Sequence, residues 1–501
     1  MPNRTTRIRR PARSLAGLCS LCLAAWPAAG LAQSDPVAGS ATPPSVTAAP
    51  LGQPNVGGAG LLTARMTGLP GTMWLGSDPA RLRELIAAAR PAVPALRDLL
   101  HTLMLAEADP PAQGEAGVAH LGARLDWLIR LGAVEEALAL TEIAGYDDPI
   151  LFARWADLNL LLGETDKPCD AMRVRPSLSN DIALRIYCTA RGGDWERAAL
   201  LLGSARTLGT LPPRDVDLLE RFLDGELAQE RTGLIPPVRP TPLEFRLFEA
   251  MGEPLPTAPL PLAFSVLDLG GDNGWRAQIE AAERLARVGA LPANRLLGLY
   301  TLREPAASGG IWDRIAALQD FEDALTRGAA NAVSVALPKV WAQMASAGLL
   351  VPFSDLFAER LATLGLSGRA GRMAQRSAFL SPQYEALSAT LADEGPEVRF
   401  LTAIARGQLP PDAGTVTLPH AEAVAAGFSG AEMPQVLREQ LAQGRLGEVI
   451  LRAVALFFSG AEGNSRDLTD ALVTLRSLGL EDVARRAALQ VMLLDAERAR
   501  R

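Results

Sequence analysis

One short turn, written three times between residues 131 and 198, constrains this chain more than any other feature. It reads Leu131-Gly132-Ala133-Val134-Glu135-Glu136-Ala137, then Leu162-Gly163-Glu164-Thr165-Asp166-Lys167-Pro168-Cys169, then Arg191-Gly192-Gly193-Asp194-Trp195-Glu196-Arg197-Ala198. Gly132, Gly163 and Gly193 are separated by 31 and 30 residues. Each follows an apolar-periodic stretch and opens another almost at once. Glycine takes the left-handed backbone that ends a helix, so the text predicts helix, turn, helix, three times over. A single hairpin of helices leaves an apolar face in water, so neighbouring hairpins must stack.

Composition points the same way. Of the 501 residues 48% are apolar but only 5% aromatic, and the usual strand formers are scarce. The length permits a large core. The fold class expected is all-α, built of stacked helical hairpins. The basic residues are nearly all arginine, Lys167 and Lys339 being the lysines, and this usage is given no functional weight.

These turns resemble those of the tetratricopeptide-like α-solenoids, which read Leu-Gly-x-aromatic/apolar-Glu-x-Ala between the two helices of a unit. Leu131–Ala137 and Gly193–Ala198 match best. Looser echoes fall at Gly289, at Gly444-Arg445-Leu446-Gly447-Glu448 and at Leu478-Gly479-Leu480-Glu481-Asp482-Val483-Ala484. About a third of the chain is covered. The large aromatic of the first helix is not regularly placed, the closing proline is missing from most units, and the period drifts. The resemblance therefore implies architecture and a concave face that commonly binds other proteins, and it assigns no binding residues. In that frame Cys169 opens the second helix of one hairpin and Cys188 lies in the first helix of the next, so a bond between them would staple successive repeats.

The segment 1–32 reads as a signal peptide. Arg4, Arg7, Arg9, Arg10 and Arg13 precede an apolar run from Leu15 to Trp26 and small residues ending Gly30-Leu31-Ala32. That run is too short to span a bilayer. Export to the periplasm is expected, with Cys19 and Cys22 lost alongside the leader. Removing five arginines takes the net charge from −7 to about −12, a poor match for nucleic acid or anionic lipid. Cys169 and Cys188 then remain, and an oxidising compartment favours a structural disulfide between them. Two buried thiols are the first alternative. A catalytic dithiol is disfavoured, since no activating base neighbours either cysteine.

The remaining boundaries follow from composition. Residues 33–75 form a low-complexity spacer of Ala, Pro, Gly, Ser and Thr, with order beginning near Trp74. Ser77-Asp78-Pro79 caps the first helix of an N-terminal repeat region, 76–230. Eight prolines between Pro236 and Pro261 mark an extended connector, 231–265, whose interleaved Leu243, Phe245, Leu247, Phe248, Leu255, Leu260 and Phe264 pack it along the protein. It joins two helical halves, the second being 266–501.

The chain offers little for chemistry. His101, His120 and His420 are the histidines and none has metal-ligand spacing, so neither a metal nor a cofactor is expected. No Gly-x-Ser-x-Gly elbow occurs. Gly270-Gly271-Asp272-Asn273-Gly274-Trp275 lacks the Lys-Ser/Thr of a phosphate loop and reads as a turn with Asp272 or Asn273 capping a helix. The protein is read as a non-enzymatic interaction scaffold with unidentified protein partners. An alternative is a helical component of envelope or peptidoglycan metabolism, similar in architecture to the superhelical region of lytic transglycosylases but without their Gly-Leu-Met-Gln-type signature. For binding, Trp275, Arg295, Tyr300, Arg303 and Trp312 form the densest mix of Arg and aromatics in an aromatic-poor chain.

Overall fold

The computed structural model describes residues 55–225, 234–270, 273–391, 395–411 and 413–500. The leader and most of the spacer lie outside them. Among the described residues every named element is a helix, and a lone bridge between Leu62 and Ala106 is the nearest approach to a sheet. None of these helices is long and apolar enough to cross a membrane.

The three turns are built identically. They join Glu115–Leu131 to Val134–Ala144, Pro149–Leu162 to Asp166–Val174, and Ile182–Arg191 to Trp195–Leu208. At each, the glycine has positive φ (82°, 85° and 87°) and two amides fold back onto the helix that is ending. Gly132 and Ala133 donate to Ile129 and Leu128, Gly163 and Glu164 to Leu160 and Asn159, Gly193 and Asp194 to Ala190 and Thr189. This pair of bonds satisfies carbonyls a helix end leaves free, and glycine removes the steric penalty of about 1–2 kcal/mol. The echoes at Gly289, Gly444 and Gly479 carry the same pair, with Ala290, Arg445 and Leu480 as the second donors. Asp78 caps Pro79–Ala88 through a 2.8 Å bond from the Arg81 amide, as its sequence predicts.

Two stretches differ from their sequence reading. Packed structure is present ahead of Trp74: Leu61 and Leu62 donate to the Leu105 carbonyl, and Leu69 and Met73 are buried. A small-residue stretch can lie flat against a helix end, which its composition does not reveal. The proline-rich stretch is packed as expected, with all seven of its named apolar residues buried, but it also contains a helix, Pro242–Ala250. Pro242 sits at the first helical position, where no amide hydrogen is needed, and Thr241 and Glu244 cap one another's backbone. Helices on both sides of this stretch contact one another, and residues 54–501 form one compact unit.

The array closes on itself. Helix Glu481–Arg498 packs on Pro94–Leu105, where Gln490 Oε1 accepts from the Ala95 amide at 2.7 Å and Arg486 reaches Asp98 at 3.1 Å. Beside them Leu446–Ala461 meets the 70–88 region. The Gly447 amide donates to the Met73 carbonyl at 2.8 Å, and the fully buried Trp74 indole lies so close to Gly447 that an added Cβ would overlap the ring. The other side of Trp74 meets the His120 ring edge-on, 5.1 Å between centroids.

His120 is buried with no hydrogen bond to either nitrogen. Burial first, then Arg124 and Arg83, push its pKa down to about 3. From the helices packed around it, Arg124 and Arg83 contribute cations, while Glu448, beside Gly447, is already engaged by Arg452 at 2.7 Å. His120 therefore stays neutral in the folded chain.

Two predictions follow from the closure. Gly447→Ala should lower stability by about 1–3 kcal/mol in urea unfolding by forcing the indole aside. Gly203→Ala, on a helix surface with open space around it, should cost nothing and gain up to about 1 kcal/mol. Because the folded pKa of His120 lies below its unfolded value of 6.5, the stability it contributes is complete above pH 6.5 and is lost as pH falls toward 3. Urea midpoints should fall from pH 7 to pH 4.5 in the parent and fall less steeply in His120→Leu; an identical slope would exclude His120 as the cause.

Candidate functional site

The residues singled out for binding do come together, but mostly inside. Trp275 begins helix Trp275–Arg287, Tyr300 ends Ala293–Tyr300, and Trp312 lies in the first turn of Ile311–Thr326. Trp275 is buried, its ring 5.2 Å from that of the half-buried Trp312, and its Nε1 donates to the Leu299 carbonyl at 2.9 Å. Tyr300 is fully buried. Its hydroxyl donates to Glu283 Oε1 at 2.6 Å, and the same carboxylate accepts from Arg314 Nε and Nη2 at 2.7 and 3.0 Å. Burial first, then Glu283, raises the Tyr300 pKa well above the ordinary phenol value, so the hydroxyl remains a donor.

This is a three-helix polar joint, not a surface. Arg295 and Arg303 are exposed and stand apart from the aromatic side chains' interior contacts. Burial places Trp275 and Tyr300 in an interior joint, while Arg295 and Arg303 face solvent and Trp312 is half-buried. In the sequence-predicted turn, Gly274 occupies the cap position of Trp275–Arg287 with no side-chain cap, and Asn273 Nδ2 instead bonds the Leu267 carbonyl at 2.9 Å. Residues 271–272 lie outside the described residues.

A broad concavity lies elsewhere, around the two cysteines. Cys169 in Asp166–Val174 and Cys188 in Ile182–Arg191 have sulfurs at 2.09 Å and Cα atoms 4.9 Å apart, a disulfide between adjacent hairpins as their placement implied. Closing this loop stabilises the fold by about 3 kcal/mol in the chain-entropy picture. Both cysteines are half-buried and line an open groove of about 770 Å³. Its lining combines Met172, Pro176 and the two cysteines with Arg173, Arg185, Arg191 and Arg197 and with Asp166, Asp170 and Asp194.

The seven charges are not equally committed. Arg191 binds Asp166 at 2.6 Å and stacks on the Tyr187 ring, and Arg173 pairs with Asp170 at 2.7 Å. Arg185 Nη2 holds the Pro176 and Ser179 carbonyls at 3.1 and 2.7 Å, and Asp194 caps its helix through the Arg197 amide. The Arg197 guanidinium has no partner among the described residues. The groove therefore presents unspent positive charge beside apolar lining residues, and exposed pairs such as Arg173–Asp170 are easily exchanged because they are worth little. Sequence reasoning missed these residues, although arginines at 173, 175, 185, 191 and 197 crowd the two cysteines more densely than chance spacing requires.

Among the described residues no group of His, Cys, Asp and Glu could hold a metal ion. No protein-family model, curated protein or solved structure matches this chain.

The joint generates a prediction. Glu283→Ala strands Arg314 in the interior and should destabilise the fold by about 3–5 kcal/mol, whereas Tyr300→Phe, which removes one hydrogen bond, should cost about 1–2 kcal/mol. Thermal unfolding of both variants separates the two values.

Proposed function

We propose that the protein is an exported, periplasmic interaction scaffold whose recognition surface is the cysteine-lined groove, and that it takes a polypeptide segment bearing acidic side chains. The observation that carries this reading is the charge arrangement in the groove: four arginines line it with three aspartates, and the Arg197 guanidinium has no carboxylate partner among the described residues. Arginine forks bind carboxylates bidentately, and the mixed charged and apolar lining suits an extended chain with alternating side chains. Stacked hairpins resembling tetratricopeptide-like repeats supply a rigid frame for such a surface. The basic leader with its apolar run, and the bonded cysteine pair, support export to an oxidising compartment. Non-enzymatic action is part of the same reading.

The mature chain, immobilised and exposed to envelope extract, should retain a polypeptide with an acidic segment. Arg197→Glu should reduce that capture at least tenfold, while Arg295→Glu/Arg303→Glu, which alters exposed arginines of a different region, should leave it unchanged. Capture insensitive to Arg197→Glu, or turnover of a cell-wall substrate by a preparation that captures nothing, would overturn the proposal.

A further inference from the structure

We propose that the Cys169–Cys188 bond is a site of thiol–disulfide exchange for a dithiol entering the groove, and that its reduction releases the Asp166–Val174 helix without unfolding the rest of the protein. Three observations on the page support this. Both half-buried cysteines line an open groove of about 770 Å³, so an incoming sulfur has a path to the bond. Four arginines and three aspartates border that path, which leaves it net cationic, and a cationic surrounding stabilises both an attacking and a departing thiolate. The helix on one side of the bond buries few side chains of its own.

That helix has nine residues, below the length at which a helix persists unaided, and only Pro168 and Met172 are buried along it. Its neighbour Ile182–Arg191 buries Leu184, Ile186, Tyr187 and Ala190 and packs on both Trp195–Leu208 and Pro213–Leu223. The two partners of the disulfide are therefore unequal: one belongs to the packed stack and the other is a wall leaning on it. In the exchange, one thiolate of the dithiol attacks a cysteine sulfur and displaces the other as thiolate, forming a mixed disulfide. The second thiol of the reagent resolves it. The dithiol leaves oxidised by two electrons, and Cys169 and Cys188 take up two protons as thiols. With the bond cut, the groove loses its 166–174 wall. The consequence for partner binding rests on the groove being the recognition surface; the exchange and the local release do not.

The test uses the full folded chain and dithiothreitol as the dithiol. Iodoacetamide trapping followed by mass spectrometry should find both thiols under native conditions, and hydrogen exchange should accelerate at least tenfold in residues 166–174 while the amides of 481–498 keep their protection. Cys169→Ser/Cys188→Ser should show the same exchange pattern without reductant. A bond that resists reduction until denaturant is added would overturn the proposal, as would unchanged exchange in 166–174 after reduction. So would acceleration throughout the chain, or a double variant that fails to fold, since either denies local release. Arg197→Glu that leaves partner capture intact would sink the groove reading while leaving these results standing.

Discussion

Arginine side chains reaching across to the carbonyl ends of neighbouring helices are the interaction on which the stack depends. Arg97 donates to the Arg287 carbonyl at 3.1 Å, and Arg287 in turn to the Ala347 carbonyl at 2.7 Å, so three helices are tied in series. Arg124 holds the Met104 and Ala106 carbonyls, Arg130 the Ile86 carbonyl, Arg246 the Leu160 carbonyl and Arg476 the Gly427 carbonyl. Each acceptor lies at or beside a helix C-terminus, where carbonyls lack intrahelical partners and the dipole is negative. A guanidinium has five donors in a rigid plane and can satisfy two such carbonyls at once, which an ammonium on a flexible stem does less well. In a closed array of many short helices, carbonyl ends inevitably point at other helices. Arginine makes those meetings favourable.

Arg124 shows how far this goes. It is fully buried with no carboxylate beside it, and burial lowers its pKa to about 10, still far above neutrality. The two carbonyls at the end of Pro94–Leu105 stand in for a counter-ion. That helix is contacted by both Glu115–Leu131 and Glu481–Arg498. A cation at its C-terminus and the Gln490 side chain on the Ala95 amide near its start satisfy both ends from other elements.

Local signals were legible in the sequence and long-range ones were not. Gly132, Gly163 and Gly193, and the fainter Gly289, Gly444 and Gly479, announce hairpin turns because the left-handed cap is a property of a few consecutive residues. The Asp78 cap, the cysteine staple and the burial of the apolar residues among the prolines are legible for the same reason. The proximity of Trp74 and Gly447 could not be read, since nothing near either residue encodes the other. Nor could the role of the arginines, whose acceptors are backbone atoms and leave no mark in composition. The five residues proposed for binding show the limit for function: their clustering was real, but whether Tyr300 and Trp275 face water depends on Glu283 and Leu299, which lie on other segments or carry no signal.

Closure also dictates an order of events in the making of the protein. The Ala95 amide and its Gln490 partner are 395 residues apart in sequence, and Arg486 and Asp98 are 388 apart. Contacts so distant are slow to form, because most of the chain must exist before they can close. A chain emerging from its N-terminal side has Trp74, the apolar face of Pro94–Leu105 and the neutral His120 ready long before Gly447 and Glu481–Arg498 arrive to cover them. During that interval the apolar face of Pro94–Leu105 stands exposed, which is the condition under which nascent chains aggregate or need a chaperone. The hairpin turns can form as they appear; the ring they build waits for its far end.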